Sequence, residues 1–224
     1  MSPVLLLRLA GPMQSWGTGS RFLYRDTGLE PSKSGVIGLL CAAEGRDREQ
    51  ALDDLTRLRM GVRADREGLL SRDYHTALDV ARASGEGTGS VVSERFFLAD
   101  ADFLVGLEGP GELLARLDLA LGEPVWPLCL GRKAFVPGEP VRLPGGGVVE
   151  GPSLESALAG VPWSPRGGEA PPERLRLVLE CGPDEEGEVR QDVPLSFADR
   201  RFAVRRVRTR WLEAGSFPVA GEAG

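Results

Sequence analysis

One short segment of the sequence carries side chains suited to acid–base chemistry at a phosphodiester. Tyr74 and His75 are adjacent and follow Arg72 and Asp73. Metal-independent cleavage of RNA needs a base that removes the proton of the 2′-hydroxyl group and a cation that stabilises the phosphorane. On a strand, however, adjacent side chains point to opposite faces, so only one of Tyr74 and His75 can face a given site. A structural role for His75, a contact with RNA or a partner, and catalysis all stay open.

Motifs for other kinds of catalysis or cofactor binding are missing from the sequence. A single histidine excludes a multi-histidine metal site, and Cys41, Cys129 and Cys181 form no C-x-x-C pair. The sequence also lacks G-x-x-x-x-G-K-[ST], a G-x-G-x-x-G that follows a strand, and G-x-S-x-G. We therefore expect no catalytic residue, no metal and no cofactor.

Length and cysteine content favour one class of protein. The chain has 224 residues, enough to bury a sizeable core without disulfides or metal. An odd number of cysteines argues against a secreted disulfide framework and for a reducing compartment. No apolar run approaches the roughly 18 residues that a membrane span needs. We expect a cytoplasmic protein that does not contact a membrane.

Positive charge is concentrated in one segment near the C-terminus. The net charge of −6 argues against nucleic acid as a partner, yet six arginines and no acidic residue lie between Arg200 and Arg210. Guanidinium groups bind phosphates and base edges well, so this segment is a candidate surface for RNA or for an acidic partner protein. A solvated strand face is the alternative, and the sequence does not choose among the three.

Hydrophobic periodicity and turn residues predict a mixed first part of the chain. We predict strands over 4–9, 73–78, 91–98 and 100–107, and helices over 33–43, 48–60 and 111–121. The first helix is expected to begin after an N-cap at Ser32 and to stop at Gly45. The glycine-rich stretch 80–90 marks the tip of a long hairpin.

A stretch rich in proline and glycine over 124–147 separates this part from a strand-rich remainder. Beyond it we predict a short helix over 153–159 and strands over 175–180, 189–193 and 202–207. The order predicts an α+β fold. Residues 1–147 are expected to form a ferredoxin-like (RRM-like) domain with one sheet face open to RNA and an extended β-hairpin thumb of about 74–98. Residues 148–224 are expected to form a small β-rich C-terminal subdomain.

Six short motifs follow one another along most of the chain. They are RLAGPMQSWG at 8–17, R-x-T at 25–27 with PSKSG at 31–35, RDYHT at 72–76, R-x-F-L-x-D-A-x-F at 95–103, LGRK at 130–133 and F-x-x-R-x-F at 197–202. In sequence and in order they resemble the motifs of the type I-E members of the fifth Cas-protein family, part of the repeat-associated (RAMP) superfamily. The hairpin tip and residues 145–174 match none of that family's motifs.

This resemblance implies a function in antiviral defence. Type I-E members of the family are non-catalytic subunits of the CRISPR surveillance complex Cascade. They bind the 5′ handle of the CRISPR RNA, cap the filament of CasC subunits, and contact the large subunit CasA near the site where target DNA is recognised. The resemblance implies neither metal nor cofactor. The alternative is a metal-independent endoribonuclease that processes precursor CRISPR RNA with Tyr74 or His75 as its base.

Three segments are candidate contacts for RNA. The helix start at Ser32, Lys33, Ser34 and Gly35 offers free backbone N–H groups and a cation to a phosphate. Just past the first strand, Trp16 could stack on a base and Gln14 could bond its edge, with core packing of Met13 and Trp16 as the alternative. The third segment, Gly131-Arg132-Lys133, is similar to the superfamily's glycine-rich loop. The remaining predicted RNA contacts are Arg25, Thr27, Tyr74, His75 and Arg200.

Overall fold

The structure is a computed structural model that describes residues 2–19, 23–82, 84–151, 153–166, 169–182 and 184–221. Its strands are β1 Ser2–Ala10, β2 Met13–Gln14, β3 Tyr24–Arg25, β4 Arg59–Arg66, β5 Leu69–Ala81, β6 Thr88–Ala99, β7 Asp102–Glu108, β8 Val148–Gly151, β9 Arg174–Glu180, β10 Glu188–Ser196 and β11 Arg201–Glu213. Its helices are α1 Lys33–Glu44, α2 Asp53–Thr56, α3 Gly111–Gly122 and α4 Leu154–Ala159. The predicted α+β class is confirmed.

A seven-stranded sheet in the order β10-β11-β9-β4-β7-β1-β8 is the frame of the molecule. The registered pairs in this sheet are antiparallel. β8 pairs with β1, and β9 pairs with β4, so strands from both sides of the predicted boundary at 147/148 share the sheet. That boundary does not separate two sheets.

The apolar run in β1 is buried on both faces. Leu5, Leu7 and Leu9 belong to the core cluster that includes the buried leucines of α1 and α3. Val4 and Leu6 belong to a second cluster on the other face, together with two leucines of α4. The expectation of one sheet face open to RNA is therefore wrong for β1, because α4 covers that face.

A pair of glycines lets α4 approach the sheet closely. Gly61 of β4 lies opposite Gly106 of β7 in the ladder. A Cβ atom at Gly61 would come within 2.8 Å of the Leu158 side chain, and one at Gly106 would come within 2.8 Å of Leu154. Any larger residue at either position would push α4 off the sheet.

The ends of α1 lie where the sequence places them. The Ser32 hydroxyl accepts a hydrogen bond from the Gly35 N–H group at 3.3 Å, and Gly45 adopts the left-handed conformation with φ 71°. A hydroxyl N-cap and a left-handed glycine are common at the N-terminal and C-terminal ends of helices. Predicted helices over 111–121 and 153–159 are also confirmed, with bounds that differ by one residue.

The predicted helix over 48–60 is wrong. Only one turn, α2, forms, and β4 already begins at Arg59. Gln50 instead closes a turn with Asp47, and Leu52, at the N-cap of α2, offers no side-chain acceptor for the first N–H groups. A longer helix would lack a cap, and its C-terminal residues are more stable when paired in the sheet, where Met60 belongs to β4.

The predicted thumb is confirmed as a hairpin and is longer than expected. β5 and β6 pair from Leu69 opposite Ala99 to Ala81 opposite Thr88. Two short strands flank β6 at its base: β2 pairs with it antiparallel, and β3 pairs with it in parallel. The thumb thus begins at about residue 69 and not at 74. No helix within the described ranges is long and apolar enough to cross a membrane.

A buried arginine ties α4 to the central strands. Arg63 of β4 has no exposed surface and forms a bidentate pair with Asp65 at 2.6 and 3.0 Å. The same guanidinium donates to the carbonyl oxygens of Leu158 and Val161, at 2.6 and 2.7 Å, at the end of α4. Buried donors and acceptors are thereby satisfied together.

We expect Arg63→Met to lower the free energy of unfolding by about 3–5 kcal/mol, because it leaves a buried carboxylate and two carbonyls without their donor. Urea unfolding followed by circular dichroism measures the change. Arg66→Gln on the same strand is the control. Arg66 pairs at the surface with Glu169, and its replacement should cost less than about 1 kcal/mol. Equal losses in the two variants would contradict this account.

Candidate nucleic-acid interface

The start of α1, predicted to bind a phosphate, is occupied by the protein's own carboxylate. The Lys33 N–H group donates to Asp192 of β10 at 2.8 Å, and the Lys33 ammonium pairs with Glu180 of β9 at 2.9 Å. Lys33 and Ser32 expose only 2% and 6% of their surface. Both residues are therefore nearly covered by the protein itself, which argues against the predicted contact with RNA.

Lys33, Glu180, Asp192 and Arg205 form a buried charge cluster that ties β10 and β11 to α1. Arg205 donates to both carboxylate oxygens of Asp192, at 2.7 and 2.9 Å. Burial alone would raise the pKa of Asp192, but the bonds from Arg205 and from the Lys33 N–H group outweigh it, and the pKa lies below its usual range. Burial lowers the pKa of Lys33 despite the opposing effect of Glu180.

Gln14 and Trp16 are core residues and not RNA contacts. Gln14 is fully buried, and its amide donates to the carbonyl oxygens of Leu9 and Ala101 at 2.8 Å each. The Trp16 indole is 1% exposed and donates to the Gln14 side chain at 3.1 Å. A Cβ atom at Gly35 would lie 2.7 Å from the Trp16 ring, so the missing side chain of Gly35 makes room for the indole.

Met13 and Thr27 lie at the edge of this core. Met13 is about a third exposed on β2. The Thr27 hydroxyl accepts from the Trp16 N–H group at 2.9 Å and donates to the Gly28 carbonyl oxygen, so Thr27 fixes the loop before α1. The structure therefore gives Thr27 a positioning role, while Met13 stays available at the surface.

Three arginines from separate segments meet at the base of the thumb. Arg25 of β3 lies directly opposite Arg95 of β6, and the Arg132 guanidinium donates to the carbonyl oxygens of Phe96 and Arg25 at 2.9 and 3.2 Å. Like charges opposite one another in a sheet are destabilising. We call Arg25, Arg95 and Arg132 the arginine cluster. No carboxylate in the described part of the chain lies within ion-pair distance of any of the three.

Burial and the neighbouring charges both act on the Arg132 guanidinium. Burial and the charges of Arg95 and Arg25 lower the pKa of the Arg132 guanidinium, while Asp73 and Asp26 act in the opposite direction. Two carbonyl acceptors hold the guanidinium in place, and its central carbon lies 5.4 Å from the centre of the Phe135 ring. An anion bound here would relieve the repulsion.

The loop that carries Arg132 is shaped by Gly131. Gly131 has φ 88°, and a Cβ atom there would lie 1.7 Å from the Ser15 carbonyl oxygen. The Ser15 N–H group donates to Leu130 at 3.1 Å, which holds the loop against β2. The next two residues diverge: Arg132 joins the arginine cluster, and Lys133 lines a neighbouring cleft.

This cleft, of about 990 Å³, lies between α1, the loop 126–133 and the turn from β10 to β11. Three aromatic rings line it, those of Trp126, Phe197 and Phe202. Three cations also line it and have no ion-pair partner among the residues described: Arg48, Lys133 and Arg200. The predicted site residues Ser34, Gly35 and Gly131 lie on its wall. We call it the aromatic cleft.

The basic segment 200–210 is not a single positive surface. Four of its arginines form ion pairs with Asp199, Asp192, Glu185 and Glu155. Arg205 is buried within the charge cluster. Arg200 and Arg206 have no carboxylate partner in the described ranges, and only Arg200 lines the aromatic cleft. Internal acids therefore neutralise most of this segment.

Tyr74 and His75 lie on opposite faces of the thumb, as predicted. Tyr74 is 68% exposed and lies opposite Glu94, whereas His75 is half-buried and lies opposite Ser93. Because alternate residues share a face, His75 lies on the same side of β5 as Asp73, which is opposite Arg95. Only His75 therefore shares a sheet face with a member of the arginine cluster.

Several residues of the interface escaped the sequence analysis. Trp126, Phe197, Phe202 and Arg48 line the cleft without having been predicted as site residues. Phe197 and Phe202 belong to the last of the six motifs, of which only Arg200 is among the predicted RNA contacts. The signal for Trp126 was a large aromatic residue between Pro124 and Pro127, in a stretch with no strand or helix to bury it.

Comparison with known proteins links the chain to CRISPR systems. Residues 4–208 match the family model described as CRISPR-associated protein (Cas_Cas5). The chain is 34% identical over 187 residues to the CRISPR system Cascade subunit CasD of Escherichia coli (strain K12), which covers 75% of this chain and 80% of that protein.

Two solved structures are similar over nearly the whole chain. One, described as the crystal structure of a Cas protein, is 48% identical with a TM-score of 0.79, covering 96% of this chain and 98% of that one. The other, a chain of a CRISPR RNA-guided surveillance complex, is 36% identical with a TM-score of 0.79, covering 94% of this chain and 90% of that one.

Asp192→Asn should lower the free energy of unfolding near neutral pH by about 3–5 kcal/mol, because Arg205 and the start of α1 lose their anion. The folded-state pKa of Asp192 lies below its ordinary value. The ionised carboxylate therefore adds stability above about pH 4, and this is lost as the pH falls through the folded pKa. Urea unfolding of both proteins across this range should show the difference shrinking with acid.

Asp199→Asn is the matched control for Asp192→Asn, on the turn that follows β10. Asp199 pairs with Arg201 at 3.7 Å, and both side chains are about two-thirds exposed. Its replacement should change stability little at any pH. A loss at Asp192 that stays constant from neutral to acid pH would show that the carboxylate charge is not what stabilises the cluster.

Proposed function

The chain belongs to the family of CRISPR-associated proteins that the Cas_Cas5 model describes, and from this premise we propose that it is the CasD-type subunit of a Cascade surveillance complex. In this role it binds the 5′ handle of the CRISPR RNA as part of antiviral defence. The relative from Escherichia coli is a Cascade subunit by name, and one of the similar solved chains belongs to an RNA-guided surveillance complex.

The observation that carries the RNA-binding role is the arginine cluster. In a chain of net charge −6, three guanidinium groups crowd together without a carboxylate in ion-pair contact among the described residues. Their repulsion has a cost that a bound phosphate would offset. RNA supplies phosphates in a row, and Arg132 stands on the glycine-shaped loop next to Lys133.

The predicted site residues that stay accessible are our proposed RNA contacts. They are Met13, Arg25, Ser34, Tyr74, His75, Gly131, Arg132, Lys133 and Arg200. The buried residues Gln14, Trp16, Ser32 and Lys33 leave the proposal, and so do the positioning residues Thr27 and Gly35. The remaining set surrounds the thumb base and the aromatic cleft.

We also assign the frame to the ferredoxin-like RAMP fold. The chain order β1-α1-β4-β7-α3-β8 is the βαββαβ order of that fold, with the thumb inserted between β4 and β7. In the sheet these strands run β8-β1-β7-β4, which supports the assignment. Because β8 is the last strand of this unit, we propose that the ferredoxin-like unit extends from the predicted 1–147 to Gly151, and that the rest of 148–224 is its β-rich extension.

The thumb and the sheet edge are the proposed contacts with other subunits. Leu69, Leu70, Tyr74 and Leu78 of β5 are each more than half exposed, which leaves apolar surface on both faces of the thumb for the terminal CasC subunit. The large subunit CasA is the proposed second neighbour, and through it the chain would lie near target DNA. Exposed Arg206 on β11 is available for that contact.

A non-catalytic role is part of this proposal. The alternative, a metal-independent endoribonuclease, requires Tyr74 or His75 to act as a base beside the scissile phosphate. Tyr74 lies on the face opposite to His75, so the two cannot act together. No specific observation favours that alternative.

Replacing Arg25 and Arg95 together with Gln should weaken binding of handle RNA and flatten its salt dependence. Each lost contact with single-stranded RNA should reduce the slope of log affinity against log salt by about 0.7, hence by roughly 1.4 for both. Fluorescence anisotropy at several salt concentrations measures the slope. Circular dichroism checks that the fold is retained.

Arg57 and Arg174 are the matched controls for this double variant. Both are exposed and have no carboxylate partner in the part of the chain that the structure describes, and neither lies at the thumb base. Changing both to Gln should leave the slope unchanged. If the two double variants flatten the slope equally, binding is diffuse and the arginine cluster is not the site.

Incubation of the purified chain with labelled repeat RNA in EDTA should leave the RNA intact. The expected result follows from the non-catalytic assignment, and gel electrophoresis with end-group analysis reads it out. A product ending in a 2′,3′-cyclic phosphate that disappears in His75→Ala would instead establish the endoribonuclease.

A further inference from the structure

The aromatic cleft combines two features that single-stranded RNA requires side by side. Its walls are rings, those of Trp126, Phe197 and Phe202, and its cations are Arg48, Lys133 and Arg200. Bases stack on aromatic rings, and the phosphates between the bases pair with cations. Asp47 is the one carboxylate among the described residues that line the cleft, so the cleft is positive in balance.

We propose that the aromatic cleft binds one unpaired nucleobase of an RNA strand, stacked on Trp126, with the adjoining phosphates on Lys133 and Arg200. This inference rests on the proposed function, because it takes the strand held by the arginine cluster as its ligand. The cleft volume of about 990 Å³ lies near the upper end of the range of small-molecule pockets, roughly 300–1,000 Å³, and accommodates a nucleotide.

Backbone hydrogen bonds to the end of α1 fix the position of Trp126 beside the cleft. The Trp126 N–H group donates to the Ala42 carbonyl oxygen at 3.0 Å, and the preceding N–H group of Val125 donates to Ala43 at 3.0 Å. The indole remains 40% exposed. A large aromatic ring held at the surface by a fixed backbone is a stacking platform that loses little side-chain freedom on binding.

Arg200 faces the cleft from a backbone conformation that is unusual for its type. Its φ is +53°, in the left-handed region that a residue with a side chain rarely adopts. Strain of this kind is retained where surrounding structure enforces it, as at ligand sites. Here the Ser196 hydroxyl accepts a hydrogen bond from the Asp199 N–H group at 3.1 Å, which closes the turn from β10 to β11.

The aromatic cleft adjoins the arginine cluster at the Gly131 loop. Arg132 and Lys133 are adjacent on the Gly131 loop, and one faces the cluster while the other lines the cleft. A strand that lies across the loop therefore meets both. A protein side chain is the weaker candidate occupant, because interface cores are depleted of lysine and of charge in general.

The test uses RNAs with the handle sequence, each carrying the fluorescent base 2-aminopurine at one position. With the full wild-type chain, one position should show strong quenching by stacking. In Trp126→Ala that quenching should be lost and the affinity should fall on the order of 5- to 150-fold, the equivalent of one base–aromatic stack. Trp126→Phe should restore part of both signals.

Trp211→Ala is the matched control, because Trp211 is 46% exposed, similar to Trp126, but stacks on Arg174 away from the cleft. It should leave quenching and affinity unchanged. Unchanged quenching at every position in Trp126→Ala would overturn the proposal. So would unchanged RNA binding together with loss of a partner subunit, which would make the cleft a protein-docking site. If the wild-type chain binds no handle RNA at all, the proposed function itself fails.

A second measurement needs no substitution in the cleft walls. Cys129 lines the cleft and is partly buried, and Cys41 beside it is buried. In a Cys181→Ser background, bound RNA should slow alkylation of Cys129 at least several-fold, because a stacked base closes the cleft over the thiol. An alkylation rate that RNA leaves unchanged, at RNA concentrations that saturate binding, would contradict the proposal.

Discussion

The buried charge cluster is the constraint on which the candidate interface depends. Asp192 and Arg205 belong to β10 and β11, Glu180 to β9 and Lys33 to α1. Charges taken out of water are tolerated only with nearly complete partners, so these elements cannot shift independently. Since α1 forms one wall of the aromatic cleft and the turn after β10 forms another, the cluster also sets the width of the cleft.

The arginine cluster follows the opposite rule. Its members are fixed by neutral groups, the carbonyl oxygens of Phe96 and Arg25 and the Phe135 ring, which position Arg132 without neutralising it. Internal acids satisfy most cations in the described part of the chain. A cation that is held in place but not neutralised keeps its electrostatic potential for a ligand. Arg132 is thus fixed in position without being neutralised, in a chain that is acidic as a whole.

Features with a local signal could be predicted from the sequence, and features made by distant partners could not. Ser32 and Gly45 bound α1 through bonds within a few residues, so pattern alone located both ends. Asp192 stands 159 residues from Lys33, and nothing near either residue indicates the pair. For Trp16 the sequence leaves RNA stacking and core packing both open, because an aromatic ring suits either, and only the fold shows that the residue is buried.

The pairing of β4 with β9 has a consequence for how the chain is made. β4 ends at Arg66, and its neighbour in the sheet begins only at Arg174. During synthesis the edge of β4 therefore stays open until more than a hundred further residues have been added. Such long-range pairing slows folding and leaves an edge that can recruit another nascent chain. The late strands thus act as a cover for the early ones.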